Sequence, residues 1–119
     1  DEARKYASES ANKGWAHITW CIFGDHFLEL YLTGEKTTEM YSERDETIVP
    51  VSTFTEARVG YSKILESDQA SGHYHLGVLY EKTSNLEIAI QEFITSAASS
   101  GKEPFKKAAR IKLEKLLKT

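Results

Sequence analysis

Apolar residues recur at intervals of three and four along most of this 119-residue chain, the spacing that is typical of amphipathic helices. Glycines and short polar stretches separate the periodic segments, and the only two prolines are Pro50 and Pro104. The pattern therefore predicts an all-α fold. The predicted helices cover approximately residues 2–13, 15–33, 53–66, 69–82, 85–99 and 104–118.

The segment 15–33 is the most apolar of these predicted helices. Gly34 is well placed to end it, because glycine tolerates the left-handed conformation found just after a helix C-terminus. Large side chains at helical spacing predict a wide apolar stripe along this segment. The stripe consists of Trp15, Ile18, Ile22, Phe23, Phe27, Leu30 and Tyr31.

Two amphipathic segments within residues 73–98 predict an α-hairpin with its hinge at 83–85. Ser84 and Glu87 have the spacing of a capping box, which predicts that the second helix of the hairpin starts at Ser84. Thr53 and Glu56 have the same spacing at the start of the predicted helix 53–66. Asp68 is the expected N-cap of the helix 69–82.

This hairpin resembles a tetratricopeptide repeat, whose pattern runs Trp-x2-Leu-Gly-x2-Tyr, then Ala-x3-Phe, then Pro. The matching residues are Leu76-Gly77-x2-Tyr80, Ala89-x3-Phe93 and Pro104. His73 occupies the position of the family's tryptophan and is a departure from the pattern. The resemblance implies antiparallel α-hairpins stacked as a short right-handed TPR-like superhelix, in a single domain over residues 1–119.

A second copy of the pattern is divided along the chain. Its first-helix part is Trp20-x2-Phe23-Gly24-x2-Phe27, and its second-helix part is Ala57-x3-Tyr61-x2-Ile64. Ala57 follows Gly24 by 33 positions whereas Ala89 follows Gly77 by 12, which leaves 21 additional residues. We therefore interpret residues 35–52 as an insertion between the two helices of one repeat.

Two interpretations of residues 35–52 remain open: an inserted segment, or the first helix of a degenerate extra repeat that pairs with 54–66. Within the insertion, 37–44 is expected to form a short helix whose Met40 and Tyr41 dock on the core. Upstream, Tyr6 to Gly14 is similar in sequence to Phe93 to Gly101. Residues 2–13 are therefore expected to be the second helix of a preceding repeat.

Composition and charge restrict the class of protein. The net charge of −3 disfavours a general nucleic-acid binder. Residues 102–119 nevertheless contain seven Lys or Arg and two Glu, a net charge of +5. Cys21 is the only cysteine, which excludes an intramolecular disulfide and favours a reducing compartment, so a cytoplasmic location is expected. No apolar run is long enough for a membrane span, and the start at Asp1 is consistent with a trimmed fragment.

The sequence contains no phosphate-binding glycine loop, nucleophile elbow or paired-cysteine metal motif. His17, Cys21 and Asp25 share one helical face at metal-ligand spacing, but they are only three potential ligands in an apolar helix. We therefore expect no catalytic activity, no metal and no cofactor.

The resemblance implies that first-helix residues pointing away from the glycine–aromatic packing face line a concave groove that binds a peptide or a partner helix. The residues expected to bind are Ile18, Cys21, Asp25, Leu28, Glu29, Ser71, Tyr74, Val78, Glu81 and Lys82. A non-catalytic protein–protein interaction module or scaffold is the function predicted first. The alternatives are binding of an acidic surface or nucleic acid through the basic C-terminal helix, and self-association through the apolar ends of a short repeat array.

Overall fold

The computed structural model describes residues 16–118, which form five helices and one two-stranded antiparallel sheet. The helices are α1 (Ala16–Leu32), α2 (Thr53–Ile64), α3 (Gln69–Lys82), α4 (Leu86–Ala98) and α5 (Glu103–Leu117). The strands are β1 (Thr37–Ser42) and β2 (Thr47–Ser52). The structure is thus mostly helical, and the all-α prediction missed the sheet. The predicted helix 2–13 and the side chain of Trp15 lie outside the described residues.

The chain divides into two compact units, Asp1–Gly60 and Tyr61–Thr119. In the first unit, α1 and α2 approach closely at two glycines. A Cβ atom on Gly60 would lie 2.7 Å from Cδ1 of Phe23 and 3.0 Å from the backbone nitrogen of Gly24. Only glycine at position 60 therefore permits this approach without displacing a neighbour.

Aromatic rings fill the core of the first unit. The Phe23 ring lies 5.3 Å from that of Trp20 and 4.9 Å from that of Phe27, in tilted or edge-on arrangements. These ring distances are within the range in which aromatic pairs attract beyond the burial of their area. Ile18 and Ile22, which belong to the predicted apolar stripe, lie outside this core and are exposed.

A Schellman motif ends α1. Gly34 has a φ of +100°, its N–H donates to the carbonyl of Tyr31, and the N–H of Glu35 donates to that of Leu30. This is the bonding pattern of a glycine C′ residue, as predicted for Gly34.

The segment predicted as an insertion folds into a β-hairpin, so the short helix expected over 37–44 is wrong. Thr38 pairs with Val51, Met40 with Val49 and Tyr41 with Ile48. Met40 is buried as predicted, but Tyr41 is 47% exposed because successive residues of a strand point to opposite faces. The concentration of β-branched residues over 47–52, at Thr47, Ile48, Val49 and Val51, was the available strand signal.

The base of the hairpin joins the start of α2. The Thr53 hydroxyl donates to the carbonyl of Glu35 over 2.6 Å, while the Thr55 N–H donates to the Ser52 hydroxyl. Ser52 therefore has the capping role predicted for Thr53. The threonine instead closes the base of the insertion.

In the second unit, α3 and α4 form the predicted α-hairpin around Gly77 and Phe93. Phe93 and Ala89 are fully buried together with Ala109 of α5, and Tyr74, Val78, Tyr80, Leu113 and Leu116 pack around them. A side-chain hydrogen bond also joins these two helices, since the buried Ser96 hydroxyl donates to the carbonyl of Ala70 over 2.7 Å.

The connection between α3 and α4 differs from its prediction. The N–H of Ser84 donates to the carbonyl of Glu81, that of Asn85 donates to Tyr80, and Ser84 has a φ of +66°. This is a Schellman motif with serine in the left-handed position. Asn85 is the N-cap of α4 and makes no side-chain capping bond, so the capping box at Ser84 is not formed.

Candidate interaction surface

One face of α1 presents two isoleucines and two carboxylates to solvent. Ile18 and Ile22, one helical turn apart, are 51% and 64% exposed. Asp25 and Glu29 continue the same face toward the helix C-terminus and are also exposed. We call Ile18, Ile22, Asp25 and Glu29 the α1 surface. It is apolar at one end and acidic at the other.

The predicted groove residues of α1 separate into two groups. Ile18, Asp25 and Glu29 lie on the α1 surface, and Cys21 lies at its border with intermediate exposure. Leu28 is only 5% exposed, so its assignment to a binding surface is corrected. Ile22 belongs to the predicted apolar stripe but was not among the predicted binding residues. Its helical spacing from Ile18 and Asp25 was the signal that could have placed it correctly.

Cys21 has the chemistry of a protected thiol. Its burial raises the pKa of the thiol to about 11, and the nearby Asp25 carboxylate acts in the same direction. A cysteine nucleophile or metal ligand acts as the thiolate, which these surroundings disfavour. Within residues 16–118, no group of three or more His, Cys, Asp or Glu side chains is arranged to hold a metal ion.

The predicted groove residues of α3 are mostly engaged inside the second unit. Ser71 is fully buried, and its N–H donates to the Asp68 carboxylate over 3.0 Å, so its assignment to a binding surface is also corrected. The Tyr74 ring lies 5.8 Å from that of Phe93 and 6.2 Å from that of Phe105. The packing of Tyr74 therefore depends on rings that are distant in sequence.

Farther along α3, the remaining predicted residues differ in exposure. Val78 packs against the buried cluster of Ala89, Phe93 and Ala109. Oε1 of Glu81 lies 2.9 Å from Nζ of Lys112, so an ion pair joins α3 to α5, whereas Lys82 is exposed. The α3 residues therefore contribute to the internal packing of the unit more than to an open surface.

Each of the two histidines of α3 has a polar partner within the second unit. His73 Nδ1 lies 2.7 Å from Oε1 of Glu92 on α4. His75 Nδ1 lies 2.8 Å from the carbonyl oxygen of Ser71, and its ring stacks on Tyr61 at a centroid distance of 5.6 Å. Both histidines thus connect neighbouring parts of the second unit.

Glutamates form ion pairs with most of the basic side chains at α5. Arg110 hydrogen-bonds to Glu103, and this interaction lowers the pKa of the Glu103 carboxyl. Further ion pairs join Lys106 to Glu103, Lys112 to Glu81, and Lys118 to Glu114. This arrangement weakens the argument for a helix devoted to nucleic-acid phosphates, which requires several cations facing solvent together.

None of the helices described between residues 16 and 118 combines the length and apolar character needed to cross a bilayer. Comparison of the chain with protein-family models, with curated proteins and with solved structures finds no match. The physical features of the chain itself are therefore the basis for a functional proposal.

Proposed function

We propose that this chain is a non-catalytic, TPR-like interaction module that binds a peptide or a partner helix on the α1 surface. The observation that carries the proposal is the pair Ile18 and Ile22, which expose more than half of their side chains one turn apart. Two aliphatic side chains at i and i+4 are the usual anchors by which one helix recognises another chain.

The charges beside these isoleucines define the chemistry of the ligand. Asp25 and Glu29 are exposed at one and two further turns along the same face. A complementary ligand therefore carries aliphatic residues next to Lys or Arg, since charge complementarity fixes the register of docking. The apolar part supplies the affinity, because exposed rim charges contribute little free energy by themselves.

The TPR-like part of the proposal is supported by glycine contacts in both units. Gly60 meets Phe23 and Gly24, and Gly77 meets the ring of Phe93. Both approaches occur where the sequence resembles the family's packing positions. Close packing of this kind holds the helices in place, and side chains on such helices lose little conformational entropy on binding.

A displayed library of random peptides tests this function directly, because it covers many ligand sequences at once. We expect enrichment of peptides that contain an aliphatic pair and basic residues. Their affinity should fall at least about tenfold for Ile18→Ser with Ile22→Ser, because anchors at an interface centre carry most of the binding free energy. Asp25→Lys should select against the basic peptides.

Matched controls come from exposed residues elsewhere. Ile94 on α4 is 52% exposed, and Ile94→Ser removes a similar exposed isoleucine. Glu66→Lys makes the charge reversal of Asp25→Lys at another exposed carboxylate. Enriched peptides that bind all variants equally well, or an unenriched library, would refute the proposal.

A further inference from the structure

The β-hairpin has one packed face and one solvent face. Met40 is buried, and its partner Val49 is partly buried, as are Thr38 and Val51. The opposite face holds two cross-strand pairs, Tyr41 with Ile48 and Glu39 with Pro50. All four of these residues are exposed, with Tyr41 at 47% and Ile48 at 61%. We call Glu39, Tyr41, Ile48 and Pro50 the hairpin surface.

The apolar pair on this surface lies in acidic surroundings. Glu39 lies beside it on the same face, and the loop that joins the strands contains the exposed residues Glu43, Asp45 and Glu46. Arg44 pairs with Asp45 at 3.5 Å and so offsets one of these charges. A cross-strand aromatic–aliphatic pair stabilises a hairpin. An exposed apolar pair surrounded by acidic residues also has the composition of a patch that binds a basic, aliphatic surface.

The outer face of α5 has the complementary composition. Ile111 is 56% exposed, and Lys107 and Lys115 lie one helical turn before and after it, both exposed. Among residues 16–118, the ion pairs at this helix involve Lys106, Arg110 and Lys112 of α5 and Lys118, which directly follows it. We call Lys107, Ile111 and Lys115 the α5 surface. It is an aliphatic side chain flanked by two exposed lysines, of which Lys107 also acts on the Glu103 carboxylate.

We propose that the hairpin surface of one copy of this chain docks on the α5 surface of a second copy. Tyr41 and Ile48 would cover Ile111, while Glu39 and Glu43 would face Lys107 and Lys115. The apolar centre and the charged rim match on both sides, as in protein–protein interfaces generally. Because every copy carries both surfaces, the contact forms either twice in a closed pair or successively along a chain of copies.

Sedimentation velocity over a range of concentrations tests the proposal by charge exchange. One variant carries Lys107→Glu and Lys115→Glu, and the other carries Glu39→Lys and Glu43→Lys. Each variant alone should dissociate at least about tenfold more readily than the wild-type chain, since like charges then face one another at the contact. An equimolar mixture of the two variants should associate again, because opposite charges meet at every contact between unlike chains.

Two matched controls make the same changes in charge elsewhere. Lys63→Glu with Lys82→Glu, and Glu66→Lys with Glu87→Lys, alter exposed residues outside both surfaces. These controls should associate like the wild-type chain. Circular dichroism of every variant should show the wild-type helical signal, since the substituted side chains are exposed. Wild-type association should also weaken between about 50 mM and 500 mM salt, because exposed charges are screened over that range.

Several results would overturn the proposal. One is a wild-type chain that stays monomeric up to about 1 mM, because its free energy of association is then weaker than about 4 kcal/mol. Others are association that both charge variants retain, and a mixture that fails to associate. Binding of the monomeric chain to phosphatidylserine vesicles, lost in the lysine variant alone, would assign the α5 surface to anionic membranes instead.

Discussion

Gly77 on α3 lies directly against the ring of Phe93 on α4. A Cβ atom at position 77 would be 2.6 Å from Cε1 and 2.7 Å from Cδ1 of that ring, and Phe93 is fully buried. The close packing of the two helices therefore depends on the absence of a side chain at this point.

Gly77→Ala should destabilise the second unit despite alanine's better helix propensity. The propensity gain is about 1 kcal/mol, whereas forcing a methyl group into a filled core costs about 1–3 kcal/mol. Urea denaturation should thus give a net loss of up to about 2 kcal/mol. Phe93→Leu in the Gly77→Ala background should recover part of it, and a double-mutant cycle measures the coupling. Gln91→Ala, at an exposed position of α4, is the control and should leave stability almost unchanged. An additive cycle would show that the contact does not limit the packing.

Ser84 occupies a left-handed conformation, with a φ of +66°, at the end of α3. A side chain there costs roughly 1 kcal/mol, and glycine removes most of that cost. Ser84→Gly should therefore raise the midpoint of thermal unfolding. Ser100→Gly is the matched control, because Ser100 is exposed and does not have a positive φ, so added backbone freedom should lower the midpoint. Equal effects of the two substitutions would contradict the strain at Ser84.

The serine also shows where sequence reasoning reached its limit. The helices followed from periodicity and glycines, because amphipathic spacing and helix ends are local properties. Ser84 and Glu87 had capping-box spacing, but the short connection required serine to end α3 before asparagine could begin α4. Two local signals competed for one residue, and the sequence alone does not rank them.

The predictions for the hairpin and for the candidate site failed for other reasons. β-branched residues, which favour strands, were concentrated around Ile48, yet the resemblance to a helical repeat and the acidic composition favoured a loop or helix. Burial of Leu28 and Ser71 depends on tertiary packing, which periodicity within one helix does not describe. Ile22 shows the converse, since a large aliphatic residue at helical spacing is more than half exposed.

Asp68 joins two parts of the second unit through one carboxylate. Oδ1 accepts from the Ser71 N–H at 3.0 Å, and both carboxylate oxygens accept from the Lys102 N–H at 3.3 Å. Asp68→Ala should cost about 1–3 kcal/mol in urea denaturation, because it removes the N-cap of α3 and leaves the Lys102 N–H unsatisfied. Asp68→Asn should cost less, since its amide oxygen still caps the helix. Asp45→Ala in the exposed hairpin loop is the control. A loss no larger than that of the control would contradict the double role.

Cys21 should react slowly with alkylating reagents in the folded chain. With a thiol pKa of about 11, only about one part in a thousand is thiolate at pH 8, and the thiolate is the reactive form. The rate of iodoacetamide alkylation, followed by mass spectrometry, should rise with pH up to about 11. The chain unfolded in urea should react much faster at pH 8, because unfolding removes the burial that raises the pKa.

Asp25→Asn should accelerate the folded reaction, since it removes the carboxylate that disfavours the thiolate. Glu29→Gln removes an exposed carboxylate farther along the α1 surface and is the control. A folded rate at pH 8 equal to the unfolded rate would show that Cys21 is accessible as thiolate, and the description of a protected thiol would then be wrong.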